Sequence, residues 1–284
     1  MKAGSGLAII GGIALDYVSK VKDVDARCTQ VIDYSENVGG MAYNTAMASA
    51  RLGIPTKLIS AVGPDFPKIT LPEKLSLELT TTPNPSTRCF LFHDGQGERI
   101  FFYRGPYHDI DIKLAKNALS SCSWAHFAGV APCFEEIASE AVRCGKKISF
   151  NPGYDLFHYN PRDPAILRIV KSTDLLILNK NESDYLGLKD GDAPKAIIIT
   201  TEGGKGSVIR IGGKESKVPA YKVNVLSPFG AGDTYTGTLI AALMKGEELT
   251  KAANLASSAA SFAVEAKSTT PELSWPAIKK RAGL

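Results

Sequence analysis

Near the C-terminus, Gly230-Ala231-Gly232 sets three residues with no side chain beyond a methyl directly before the carboxylate of Asp233. The run that follows, Thr236-Gly237-Thr238-Leu239-Ile240-Ala241-Ala242-Leu243-Met244, is apolar or small nearly throughout. It predicts a buried helix that begins near Asp233 and stops before Gly246. The start of a helix presents unpaired N–H groups and the positive end of the macrodipole, which together make an anion site. A carboxylate at that spot would repel a resting phosphate. The pairing makes chemical sense if Asp233 takes a proton from an attacking hydroxyl while the N–H groups hold the phosphoryl group under attack. The competing role is structural, with Asp233 as an N-cap on a helix led in by glycine.

Other positions carry chemistry of a compatible kind. Leu7 to Gly12 reads as a buried strand ending in a glycine turn, with Asp16 just beyond it. Ligands of parallel α/β sheets collect outside the carboxyl ends of strands, so Asp16 is placed either to hold a polar substrate or as an ordinary turn carboxylate. Gly39-Gly40 precedes a charge-free helix from Met41 to Ala50, and Asn44 on that helix is an amide in need of partners. Those partners are substrate hydroxyls or a neighbouring loop, and the paired glycines would let a sugar lie against bare backbone. Asn179 and Glu182 stand three apart at the end of the strand Leu175–Asn179. Glu182 there can hold a metal ion, directly or through water, or close a capping box. Thr201-Glu202-Gly203-Gly204-Lys205-Gly206 is a glycine-rich turn after a strand, fit to pass close to nucleotide phosphates but unspecific by itself.

The elements that must position these groups follow from composition and patterning. A chain of 284 residues, 44% hydrophobic and 22% charged, buries a large core. Its net charge of +4 comes from scattered basic residues, which argues against a nucleic-acid partner. Five cysteines without a CxxC pattern point to reduced thiols and a cytoplasmic setting, and no run of 18 apolar residues predicts a membrane span. Short apolar strands (Lys57–Val62, Trp124–Gly129, Lys147–Asn151, Leu175–Asn179, Ala196–Thr201) alternate with helices, so the fold class is α/β with a parallel sheet wrapped on both sides. Segments Thr87–Phe92 and Glu98–Tyr103 form a hairpin around His93-Asp94-Gly95-Gln96-Gly97. That hairpin is too aromatic to stand alone. With the strand at Val31–Ser35 it predicts a small sheet acting as a lid, one face over the ligand and the other free for a partner subunit; the alternative is an antiparallel edge of the main sheet. No GxGxxG, P-loop, HExxH or GxSxG pattern is present, and no two histidines have metal-ligand spacing.

Taken in order, Asp16, Gly39-Gly40-x-x-x-Asn44, Gly63-x-Asp65, Asn179-x-x-Glu182, Thr201-x-Gly203-x-x-Gly206 and Gly230-Ala231-Gly232-Asp233 resemble the ribokinase-like carbohydrate kinases of the PfkB family. The likeness runs through nearly the whole chain and implies one kinase domain over residues 1–284. That domain would be a three-layer α/β/α sandwich with a mostly parallel sheet and a β lid from residues 17–36 and 87–107. It implies transfer of the γ-phosphate of ATP, with Mg2+, to an alcohol of a sugar or ribonucleoside. By position Asp233 would be the general base and Gly230, Ala231 and Gly232 the anion hole. Asp16, Gly39, Gly40 and Asn44 would grip the acceptor. Asn179, Thr201, Gly203 and Gly206 would serve the nucleotide, and Glu182 the magnesium.

The chain also departs from the family. Ser227-Pro228-Phe229 stands where Asp-Thr-x is usual, which weakens the expectation of a monovalent cation beside the anion hole. Asn151-Pro152-Gly153-Tyr154 and the lid segment Phe101-Phe102-Tyr103-Arg104-Gly105 are similar to adenosine-kinase-like members, which tilts the acceptor toward a nucleoside. The alternative function is a sugar- or nucleoside-binding protein of the same fold that has lost catalysis. A homodimer through the lid is compatible with either.

Overall fold

The structure, a computed structural model, describes residues 6–189 and 191–284. In chain order its strands are β1 (Gly6–Gly11), β2 (Ala14–Val21), β3 (Val31–Gly39), β4 (Thr56–Val62), β5 (Leu75–Thr81), β6 (Arg88–His93) and β7 (Glu98–Tyr103). They continue with β8 (Cys122–Ala128), β9 (Lys147–Asn151), β10 (Leu175–Asn179), β11 (Ile197–Thr201), β12 (Ser207–Ile211) and β13 (Lys214–Val218). The helices are α1 (Met41–Arg51), α2 (Ile112–Leu119), α3 (Phe134–Arg143), α4 (Pro164–Ser172), α5 (Lys180–Leu186), α6 (Ala231–Met244), α7 (Leu249–Val264) and α8 (Trp275–Ala282).

Nine strands form the main sheet in the order β13-β12-β11-β10-β9-β8-β1-β4-β5, parallel from β5 to β11 and antiparallel at the β12–β13 edge. The central strands β1, β4, β8, β9 and β10 are largely buried on both faces, so their sequences read as mostly apolar runs. Alternate residues serve opposite layers. Leu7 and Ile9 pack with α1, α6, α7 and α8, whereas Ala8 and Ile10 pack with α2, α3, α4 and α5. Because β5, β4, β1, β8, β9, β10 and β11 are parallel, their carboxyl ends share one rim.

The remaining strands form a separate four-stranded sheet in the order β3-β2-β6-β7. The hairpin β6–β7 is thus joined to β2 and β3 and not to an edge of the main sheet. Asp16, expected in a turn beyond β1, lies inside β2, paired with Asn37 of β3 and Cys89 of β6. The correction has a simple cause: Gly12-Ile13 breaks the chain for two residues, after which it re-enters extended structure in the other sheet. β3 runs on to Gly39, past the Ser35 expected from alternation. β5 escaped the sequence reading because Leu-Ser-Leu-Glu-Leu-Thr-Thr is an edge strand with mostly half-exposed side chains.

Helices α1 and α6 are buried almost all round, which fits their small, uncharged sequences. A Cβ added at Gly237 of α6 would stand 2.5 Å from the carbonyl oxygen of Thr45 and 2.8 Å from Ala48. The missing side chain therefore lets the two helices touch, and Ser49 fastens them by donating its hydroxyl to the carbonyl of Gly237 at 3.1 Å. This contact sets Asn44 of α1 beside the first turn of α6.

Candidate active site

The first turn of α6 is built as expected from its glycines. Gly230 is the N-cap in the left-handed region (φ 79°), and a Cβ there would stand 2.3 Å from the carbonyl oxygen of Thr269. No side chain caps the helix, and no acceptor in the described chain takes the amides of Ala231, Gly232 or Asp233. Around the position of a Cβ at Gly232 no atom beyond its chain neighbours and the helix's own backbone lies within 4 Å. Three amides thus face open space at the positive end of a fourteen-residue helix.

Asp233 is not an N-cap, since its carboxylate accepts from a side chain of another helix. Asn44 Nδ2 donates to Asp233 Oδ2 at 2.8 Å, and Thr269 Oγ1 donates to Asn44 Oδ1 at 3.4 Å. The amide is thereby fixed in orientation with one partner on each end. Burial pushes the Asp233 carboxyl up to about 6, and the Asn44 hydrogen bond pulls against that rise.

Asp16 is 4% exposed and its Oδ1 has no hydrogen-bond partner. Gly39 makes room for it, because a Cβ at Gly39 would stand 1.8 Å from Asp16 Oδ2. Gly40, the N-cap of α1 at φ 90°, would bring a Cβ to 2.8 Å from the carbonyl oxygen of Gly12. Burial raises Asp16 to about 7, the Cys89 thiol and Gly40 amide oppose this, and the Asp233 charge adds to it. A buried, unpartnered carboxylate oxygen costs free energy unless a ligand supplies a donor.

Glu182 closes the capping box whose spacing was visible in the sequence. Asn179 donates its amide N–H to Oε2 at 2.9 Å and its Nδ2 to Oε1 at 2.7 Å, and its Oδ1 accepts from the Glu182 amide at 2.9 Å. The carboxylate is 3% exposed, raised to about 7 by burial, lowered by the Asn179 amide and raised again by the Asp233 charge. Among the described residues no lysine or arginine forms an ion pair with Asp16, Glu182 or Asp233. The structure therefore gathers three carboxylates with no protein cation between them, a cost that ligand cations and donors would relieve.

Beside Glu182 lies a cavity of about 410 Å³ lined by Tyr154, Asn179, Lys180, Thr201, Gly203 and Lys205 among others. Gly203 (φ 55°) has no atom within 4 Å of its Cβ position, so a ligand can approach its backbone closely. Gly206 does not line the cavity. Its Cβ would meet the carbonyl oxygen of Val218 at 2.0 Å, so this glycine is demanded by the crossing of β13. A larger open cleft of about 560 Å³, between Tyr221, Asn224, Glu265 and Arg281, contains none of the residues singled out by sequence. Sequence reasoning missed Thr269, Lys180, Lys205 and the fastening pair Ser49 and Gly237. Only Lys205, inside the glycine turn, carried a local signal.

Among the described residues no group of three or more histidine, cysteine, aspartate or glutamate side chains is arranged to hold a metal alone. No helix among them is long and apolar enough to cross a membrane. A family model described as pfkB family carbohydrate kinase matches residues 5–276. A protein of Methanocaldococcus jannaschii named nucleoside kinase is 29% identical, over 97% of this chain and 96% of its own. The crystal structure of a nucleoside kinase from that organism, described as an archaeal member of the ribokinase family, covers 98% of both chains with a TM-score of 0.79 and 28% identity. A Burkholderia thailandensis nucleoside kinase in complex with inosine shares the fold (TM-score 0.81, 98% of this chain and 97% of its own) at 19% identity.

Proposed function

This chain belongs to the pfkB family of carbohydrate kinases, and on that premise we propose that its acceptor is a nucleoside and that Asp233 activates the attacking hydroxyl. The chain is a phosphotransferase that moves the γ-phosphate of ATP to an alcohol of a sugar or nucleoside. The observation that carries the assignment of roles is the placing of a tethered carboxylate, Asp233, in the same helical turn as three unpaired amides.

The acceptor's hydroxyls are held by Asp16, whose free Oδ1 accepts from one of them, against the bare backbone of Gly39 and Gly40. Asp233, with its carboxyl at about 6, is ionised near neutrality yet basic enough to accept a proton as the oxygen–phosphorus bond forms. Asn44 fixes which oxygen of Asp233 faces the acceptor. The amides of Ala231, Gly232 and Asp233 take up charge on the transferred phosphoryl group, the largest contribution protein can make to a reaction with little covalent work. The nucleotide lies along Asn179, Thr201 and Gly203, with Lys180 and Lys205 within the same cavity to balance phosphate charge.

The site suits magnesium. The donors are oxygens only, and Glu182 is a buried carboxylate without a protein cation, whereas magnesium is commonly held by one or two carboxylates, waters and substrate phosphates. Glu182 would hold the ion, directly or through water, and the ion when bound would neutralise phosphate charge.

A nucleoside acceptor is supported by the name of the 29% identical relative. The four-stranded sheet serves as the lid. Asp16 and Val18 face inward from β2, while Tyr34, Phe90, Phe101 and Tyr103 are exposed on strands of the same sheet. That apolar exposure supports a homodimer through this sheet. Assay of ADP formation with ATP and Mg2+ against a panel of nucleosides and sugars tests the reading. Turnover with nucleosides supports it, and turnover confined to free sugars removes the nucleoside assignment.

A further inference from the structure

Phe229 stands one residue before the amide turn and does not belong to either core of the main sheet. Its ring is 8% exposed and packs in a third apolar cluster whose other buried members, Val18 of β2 and Leu91 of β6, both come from the small sheet. Cys89 and Ile100, also of that sheet, close around it, and the His93 ring meets it edge-on with centroids 5.9 Å apart. Within this cluster Phe229 is the sole residue of the main body. Just past it, Gly230 is held against Thr269 in a conformation that leaves no room for a Cβ. The Phe229 amide donates to Ser227 Oγ at 3.4 Å, so the segment behind the ring is tied to the buried Ser227.

Val38 of β3 packs against the main core, the Phe102 ring of β7 meets His158 edge-on with centroids 5.7 Å apart, and Arg88 of β6 pairs with Asp65. Further links between the small sheet and the body are polar and lie at its rim. Tyr154 Oη donates to Glu98 Oε1 at 3.3 Å, and Lys267 pairs with Asp33 at 2.6 Å with both side chains more than half exposed. Contacts of that kind exchange readily with water. An aromatic ring in an apolar socket does not, because opening the socket returns ring and lining to solvent together. Its backbone is continuous with Gly230-Ala231-Gly232-Asp233, and a displacement of the ring by opening of the sheet must be absorbed within two or three residues of the unpaired amides.

We infer that Phe229 is a positioning residue that couples seating of the small sheet to the geometry of the amide turn, so that the turn is set for phosphoryl transfer only when the sheet is down. The inference rests on the kinase reading, since it assigns the turn to the transferred phosphoryl group. Seating the sheet both excludes water and completes the turn, so an empty or half-filled site is a poor hydrolase.

Hydrogen exchange on the full chain, without ligands, measures the coupling independently of activity. In Phe229→Ala the amides of β2 and β6 and the first hydrogen-bonded amides of α6, from Thr234 on, exchange faster together, while β8 to β10 stay protected. Phe229→Leu restores most of the protection in both places. In steady state Phe229→Ala lowers kcat by about 10- to 100-fold, the scale of small misplacements at a reacting centre. Its nucleotide Kd changes much less, and its ratio of ATP hydrolysed to phosphoryl transferred rises. Faster exchange in the small sheet with an unchanged α6 start would overturn the inference, as would faster exchange across the main sheet as well, or wild-type kcat in Phe229→Ala. A wild-type protein without transferase activity would instead sink the kinase reading, leaving the exchange result to stand by itself.

Discussion

Asn44 and Asp233 are separated by 189 positions in the chain, yet Asn44 Nδ2 donates to Asp233 Oδ2 at 2.8 Å. The bond exists because Gly237 lets α1 and α6 meet one turn further along. It does two things to Asp233: it fixes the carboxylate's orientation and it stabilises its charged form. Replacing Asn44 by Ala removes both. The expected outcome is a fall in kcat on the order of 10- to 100-fold and an acid limb of the pH–rate profile displaced to higher pH. The direction follows because losing a donor to the carboxylate raises its pKa. A pH–kcat/KM profile of Asn44→Ala beside the wild type checks it, and an unmoved acid limb would contradict the tether.

Three site carboxylates, Asp16 and Glu182 buried and Asp233 half-buried, carry a stability prediction of unusual sign. Asp16 and Glu182 are raised to about 7 and Asp233 to about 6, above their unfolded values. Between the unfolded and folded pKa the native state binds more protons than the unfolded chain, so stability falls as pH rises from about 4 to about 7. Asp16→Asn removes one of these charges at a site where Oδ1 has no partner. The ligand-free variant is expected to be more stable than wild type at pH 8 and to differ little at pH 4. A gain of ~1 kcal/mol would appear as about 2–4 °C in a large domain. Thermal melts at the two pH values test this, and equal Tm differences at both would contradict it.

Two glycines of the same turn should respond oppositely to the same change. Gly230→Ala drives a Cβ to 2.3 Å from the Thr269 carbonyl oxygen at a positive φ, so it destabilises the fold. Gly232→Ala meets no atom outside its own helix within 4 Å and sits in helical conformation, where Ala is favoured over Gly by about 0.5–1 kcal/mol. Its Tm is expected to hold or rise, while kcat/KM falls about 10- to 100-fold because the methyl occupies the space proposed for the phosphoryl group. Melting curves and transfer kinetics of the pair decide it, and a fully active Gly232→Ala would remove the anion-hole role.

Much of this site was legible in the chain. The Gly230 to Asp233 turn was visible because small residues ahead of an apolar run can only be a glycine-led buried helix. Asn179 and Glu182 were visible because a capping box has a fixed spacing. Asp16 was noticed but misplaced, since Gly11-Gly12 ends one strand and conceals that another begins two residues later. Gly206 looked like part of the phosphate turn, yet its conformation answers to Val218, a contact made by a strand that sequence does not show arriving. Thr269 was unreadable. Its contact with Asn44 spans 225 positions and lies in a Ser/Thr-rich loop with no period of its own. Local patterns reported which residues could do chemistry, while the packing of α1, α6 and the 264–270 loop decided which of them meet.

The central claim is that Asp233 is the base, and it is tested most directly by transfer kinetics of Asp233→Asn measured with ATP, Mg2+ and the best acceptor from the panel. The account predicts a loss of at least ~10² in kcat with acceptor and nucleotide Kd within a few-fold of wild type. A variant that turns over at the wild-type rate would contradict it.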